Sequence, residues 1–416
     1  MPFPTFGKLH GLLAAALLTA APLVAAGPVL TLEDAEQLAL QDEPTVGRYQ
    51  ELAAARQESA VSAGAFPDPM LITELMDVPA DRPRLDEDPM TQLRVGVRQA
   101  FPRGQTRALS RSREELRAAA EHARADAAER ATLNGVRAAY LELHYRRQAV
   151  AVLEDNRRHF QDLLEVAEWE FASGRVSRQD VIQAELELDR LEDRLSAARA
   201  EAAAATADLA RWVGPRAADR PLPEAIPEIS SANGEAIDAH PLLVAEDMTV
   251  TAGQRSIELA RQGYRPEWSL EVTYGRATAS GVDNPDRLSA MVMLDLPLFT
   301  RNRQDRDVAA SRRERHAAEY AREEQHRALQ QGLASTQARW YRLREREARF
   351  RERLLAAAEE NAEAAEEAYR AGMIEFTALM RARITHLDTH LDAARVSTDR
   401  RLAQAQLLYL LGENQP

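Results

Sequence analysis

Apolar side chains along this chain follow two rhythms. Over Val181, Ala184, Leu188, Leu191, Leu195, Ala198, Ala202, Ala205, Leu209 and Trp212 the intervals alternate between three and four. Such a spacing keeps one apolar stripe on one helix face, the seam of a coiled coil. The preceding stretch follows the same rule less strictly, through Leu143, Val150, Leu153, Phe160, Leu164, Ala167 and Phe171. Proline bounds these regions: of 20 prolines, none lies between Pro102 and Pro215 or between Pro297 and Pro416. A proline inside a helix costs about 3 kcal/mol or more, and both stretches are rich in the strong helix formers Ala, Leu, Glu, Arg and Gln. Each therefore predicts two long helices, joined at Phe171-Ala172-Ser173-Gly174 in the first and Tyr369-Arg370-Ala371-Gly372 in the second. The run from Gly104 to Gly174 would reach about 100 Å as one helix, too long for a compact globule.

The second rhythm has a period of two. Trp268, Leu270, Val272 and Tyr274 alternate with Ser269, Glu271 and Thr273, and Leu288, Ala290, Val292, Leu294 and Leu296 alternate with Ser289, Met291, Met293 and Asp295. Leu93, Val95 and Val97 alternate with Gln92, Arg94, Gly96 and Arg98, and Met70 to Val78 carries Leu71 and Leu75 on one face. Four strands of this length suit either hairpins on a soluble core or tilted transmembrane β-strands. Aromatic placement favours the second reading. Phe66, Phe101, Trp268 and Phe299 fall at the helix-proximal ends of the four strands, where a membrane-interface girdle would lie. Four strands cannot close a barrel, and lipid does not tolerate an open sheet edge, so a membrane reading requires two or three chains.

The pattern occurs twice. Gly174 and Gly372 are 198 positions apart, as are Phe101 and Phe299; Pro44 to Pro69 and Pro241 to Pro266 are both intervals of 25 enclosing an alanine-rich amphipathic helix. An internal duplication is expected, each copy reading helix, two strands, long helix, turn, helix. The expected organisation is a leader at 1–26, a first repeat at 27–213, a proline-rich linker at 214–239 and a second repeat at 240–416. Lys8, the apolar run Leu12 to Val24 and the small residues Ala25 and Ala26 have the layout of a secretory signal peptide, cleaved after Ala26.

Composition narrows the chemistry. The 416 residues include no cysteine, which excludes disulfides, thiolate metal sites and a thiol nucleophile, and Lys8 is the only lysine, which leaves the mature chain no P-loop lysine or Schiff base. Of 53 basic residues, 52 remain beside 66 acidic ones once Lys8 is removed, a net charge of −14 that argues against nucleic acid as a partner. No catalytic residues and no cofactor are expected. His386 and His390, four apart beside Asp388 and Asp392, invite a metal reading, but Leu387 stands where a zinc-protease helix has glutamate, so no metal site is expected either. The acidic loop Asp81 to Asp88 reads as a solvated turn.

These features together resemble the TolC-type outer-membrane efflux factors. Leu30-Thr31-Leu32-Glu33-Asp34-Ala35-Glu36-Gln37-Leu38-Ala39-Leu40 followed by Pro44 is similar to the family's opening helix, and Phe171 through Val181 to its helical turn, repeated at Tyr369 to Ile374. The resemblance implies a mainly α fold with a small β part. Long antiparallel coiled-coil hairpins would form an α-barrel, and four transmembrane strands per chain would contribute to a β-barrel shared by a homotrimer in the outer membrane. It implies a periplasmic adaptor at the helical tips, where Gly174, Val176, Ser177, Gly372 and Ile374 would be exposed, and an inner-membrane pump of the resistance-nodulation-division class. Asp68 to Met70, Glu87 to Gln92 and Phe101 to Gly104 resemble the heavy-metal export branch. Family members with a charged gate carry acidic residues six and nine positions beyond the second tip glycine. Here those positions are Ala378 and Arg381, while Asp180 does match at the first tip, so Asp180 and Arg381 are the gate candidates. Asp180 also suits a helix cap. The expected function is a passive exit duct for metal cations or small toxic compounds, and the alternative is a soluble periplasmic coiled-coil adaptor or scaffold.

Overall fold

The computed structural model describes residues 28–41, 43–81, 83–85, 87–232, 234, 236–279 and 285–412. The leader expected at 1–26 lies outside them, as do Arg82 and Asp86 of the acidic loop. The described chain is mainly helical with one small antiparallel sheet. None of its helices is long and apolar enough to cross a membrane.

Helix α1 (Leu32–Gln41) opens on a reciprocal pair: the Asp34 amide donates to Thr31 Oγ1 at 3.1 Å, and the Thr31 amide to Asp34 Oδ2 at 3.2 Å. Helix α2 (Pro44–Gly64) has proline in its first turn, where no intrahelical donor is needed. Strands β1 (Met70–Met76) and β2 (Gln92–Phe101) lead into α3 (Thr106–Ala172), whose 67 residues span about 100 Å. The chain then returns along α4 (Arg178–Val213). After a four-residue helix, α5 (Pro215–Ala218), the same order recurs as α6 (Pro241–Gln262), β3 (Glu267–Ala277), β4 (Arg287–Asp295), α7 (Gln304–Arg349), α8 (Leu355–Arg370) and α9 (Phe376–Leu411). A π-helical turn, Phe350–Leu354, joins α7 to α8. Its wider i→i+5 bonding turns the faces of α8 relative to α7. The expectation of one break per proline-free stretch thus misses this second interruption, which needs no glycine.

Every seam position from Val181 to Trp212 is buried or half-buried, while Phe171, the last of the ascending series, is exposed at the hairpin tip. Alanines of α3, among them Ala118, Ala123 and Ala127, are buried where α2 and α6 lie against it. Small side chains let these backbones approach closely. Gly135 goes further, since a Cβ there would stand 2.6 Å from the Trp212 ring.

The halves share their cores. Leu153, Phe160 and Ala167 of α3 pack with Ala184, Leu191 and Leu195 of α4 and with Phe376, Met380 and Leu387 of α9. The proline-rich join is a packed strap, not a free linker. The Leu30 amide donates to the Pro221 carbonyl at 2.9 Å, Arg401 Nε to that of Pro227 at 3.0 Å, and Ile229 is buried against Leu141 and Leu408. The four strands pair in the order β1-β2-β3-β4, so β2 and β3 join the two halves directly.

Candidate functional site

Two regions carry the functional expectations, the sheet and the paired helical tips. Antiparallel register puts directly opposed residues on the same face. One face therefore collects Leu71 and Leu75 of β1, Leu93, Val95, Val97 and Phe101 of β2, Trp268, Leu270, Val272 and Tyr274 of β3, and Leu288, Val292 and Leu294 of β4. All but Phe101 are exposed, Leu288 at 75% and Leu71 at 73%. The other face is largely polar. Arg98 donates from Nε (2.8 Å) and Nη2 (2.6 Å) to Glu271, and Thr273 faces Ser289. Gly96 is the partner of Thr273 on β2; a Cβ there would come within 2.4 Å of Thr273 Cγ2 and 2.5 Å of the Val272 carbonyl. A soluble sheet buries its apolar face; here that face is exposed, while the polar face is buried at Gln92, Glu271 and Thr273 of the two central strands.

At the helix-proximal end three of the four expected aromatics meet. Phe101 stacks on Trp268 with centroids 3.9 Å apart, Phe66 meets Phe101 edge-on at 6.1 Å, and the Arg107 guanidinium covers Phe66 at 3.4 Å. Phe299 stands apart from them and is 92% exposed. Arg103, which sequence reasoning missed, ties the sheet to the helices through Glu267 (3.3 Å), Asp295 and the Gly263 carbonyl (3.2 Å).

The tips are built alike. Gly174 (φ +77°) and Gly372 (φ +70°) end α3 and α8 in the left-handed region, with open space where a side chain would project. Ser177 caps α4: its Oγ accepts from the Asp180 amide at 3.3 Å, and Asp180 Oδ2 accepts from the Ser177 amide at 2.9 Å. Asp180 is thus engaged in a capping box, and Arg381 stands exposed on α9, so the two gate candidates are not brought together within one chain. Val176, Ser177, Gly372 and Ile374 line an open cleft of about 630 Å³ between the two tips. Of the five tip candidates, Ser177 and the two glycines are exposed. Val176 and Ile374 are half-buried, contrary to the expected exposure, because both turn towards the cleft walled by Tyr369 and Phe376. Tyr369 donates to Glu170 across the tips, and burial together with that carboxylate raises its phenol above the usual range. The sequence reading also overlooked Trp169, Ile182 and Met373, exposed apolar side chains at the same end.

About four helical turns above the second tip, His386 and His390 hold their rings 4.5 Å apart, and α8 brings Glu359 beside them. Burial first, and the neighbouring His390 next, lower the His386 pKa.

Comparison with known proteins agrees with this architecture. Residues 233–413 match the model of the family described as "Outer membrane efflux protein". The outer membrane efflux protein BepC of Brucella suis biovar 1 is 27% identical over 194 residues, a stretch that covers 44% of this chain and 42% of that protein. Among solved structures, a membrane protein from Pseudomonas aeruginosa aligns over 99% of this chain and 97% of its own, with a TM-score of 0.80 at 17% identity. The outer membrane protein VceC of Vibrio cholerae (0.78, 17% identity) aligns over 92% of this chain and 96% of its own. CusC (0.78, 15% identity) covers 92% of both. The second half of the chain is thus similar in sequence to outer membrane efflux proteins, over less than half the length of the curated relative it matches, and the chain along its length shares the fold of these solved structures.

Proposed function

We propose that the protein is the outer-membrane channel of a tripartite efflux system, a passive duct through which metal cations or small toxic compounds leave the cell. The observation that carries this reading is the sheet with an exposed apolar face, a polar face behind it and two unpaired edges, β1 and β4. Hydrocarbon would accept that face but not those edges. Three chains, each joining its β4 to the β1 of the next, close a twelve-stranded barrel with the apolar side towards lipid and Arg98, Glu271 and Thr273 towards the lumen. The helical hairpins continue the wall into the periplasm. An adaptor docks at the tips through Gly174, Val176, Ser177, Gly372 and Ile374, and an inner-membrane pump of the resistance-nodulation-division type supplies the energy. The tip cleft and the apolar residues around it support docking of another helical hairpin, which would spread tips otherwise held by the shared core of α3, α4 and α9. The segments around Asp68, Glu87 and Phe101 favour metal cations as cargo.

The test is direct. Purified in detergent, the mature protein should run as three chains per particle and permeabilise liposomes to small solutes. A mature protein that stays soluble and monomeric without detergent would sink the channel reading and favour a periplasmic scaffold. For cargo, cells lacking the gene should become sensitive to copper, silver, zinc, cobalt or cadmium salts; sensitivity to drugs alone would move the protein out of the metal branch.

A further inference from the structure

We propose that Glu359, His386 and His390 bind a divalent transition-metal ion of the zinc type, which ties α8 to α9 within the second hairpin. One ligand atom from each of the three lies within 4.8 Å of the other two. Around a tetrahedral zinc, with bonds of about 2.0–2.2 Å, neighbouring ligand atoms stand roughly 3.4 Å apart, so side-chain rotation alone closes the site. The two imidazoles are four residues apart and therefore share a helix face. Leu387, fully packed into the core shared with α3 and α4, fixes the rotation of α9 that turns both rings towards α8.

The local hydrogen bonding leaves the ligands available. His390 Nε2 is buried without a partner. Among the described residues none pairs with the Glu359 carboxylate or the His386 ring. Of the nearby cations, Arg383 is paired with Glu366 and Arg194 with Asp388, although Arg383 and His159 still act on His386. A buried nitrogen lone pair or N–H without a partner is costly in a native core, and a metal bond removes that cost. Two imidazoles and one carboxylate are the ligand set of zinc, nickel, cobalt or copper, whereas magnesium and calcium prefer oxygen alone. Three protein ligands leave the fourth position to water. A site of this kind binds and braces the two helices.

The site does not depend on the channel reading, because binding is measured without transport. Full-length mature protein in detergent, freed of any affinity tag, is dialysed against Zn2+ with excess Mg2+ present. One zinc per chain is expected, with a raised melting temperature that a chelator reverses. E359Q, at an exposed position that leaves packing unchanged, and H386Q should each weaken binding at least about tenfold, the scale of losing one ligand. Co2+ should give the visible absorption of a four-coordinate ion in the wild type and lose it in E359Q. Absence of saturable zinc binding, or equal binding by wild type and both variants, would overturn the proposal.

Discussion

Single residues in this chain act through what a side chain, or its absence, permits. His240 is buried at the start of α6, where its Nδ1 accepts from the Leu242 amide at 3.2 Å. Burial, and then Arg130, push its pKa down to about 4 from an ordinary value of 6.5. The imidazole is neutral in the folded state, and protonating Nδ1 would turn the cap acceptor into a donor. The depressed value means that the unfolded chain binds the proton first as pH falls. Stability is therefore full above pH 6.5 and declines towards pH 4, by up to about 3 kcal/mol. His240→Asn keeps a good cap without the titration, so its melting temperature should fall less between pH 7 and 4.5 than that of the wild type. Gly96 offers a second test. Gly96→Val would drive methyls into Thr273 and the Val272 carbonyl and should cost on the order of 1–3 kcal/mol. The expected readout is loss of the detergent-stable assembly at a temperature where the wild type persists.

At the scale of elements, alternation made the strands readable. Leu288, Ala290, Val292 and Leu294 predicted both β4 and its apolar face, and the spacing from Val181 to Trp212 predicted the buried seam of α4. Which face of a sheet meets lipid is a matter of order rather than composition, and it can be tested strand by strand. Leu288→Arg, on the exposed apolar face near the end of β4 remote from the helices, should cost up to about 1 kcal/mol of membrane insertion, seen as a smaller inserted fraction in liposomes. Ser289→Arg, one residue on but on the polar face, should insert normally and change conductance. What the sequence hid at this scale depended on pairing. Glu359 lies 27 positions before His386, and only the antiparallel run of α8 along α9 brings them together. The π-helical turn at Phe350–Leu354 gave no signal, because it requires neither proline nor glycine.

For the molecule as a whole, the two glycine turns predicted where the hairpins end, but not that the ends enclose a cleft. Val176 and Ile374 are expected in solvent and lie half-buried in it, since the placement of one tip beside the other is set by the packing of α3, α4 and α9, which continues down to Phe376 at the cleft itself. Gly174 and Gly372 have room for a side chain but a backbone that disfavours one. Replacing either by valine should cost about 1–2 kcal/mol locally, leave assembly and insertion intact, and reduce crosslinking to the proposed adaptor together with export. Unchanged export by correctly inserted Gly174→Val and Gly372→Val would remove the tips from the docking surface.

The pairing of β2 with β3 also dictates a timetable. Phe101 and Trp268 stack across 167 positions of intervening chain, so the central ladder of the sheet cannot form until most of the polypeptide has been delivered. Loop-closure entropy makes such distant pairings slow relative to local helix formation. The α3–α4 hairpin should therefore acquire hydrogen-exchange protection early, while β1 and β2 wait with their apolar residues uncovered. That interval, with apolar surface and strand edges uncovered, is when aggregation during refolding should be greatest.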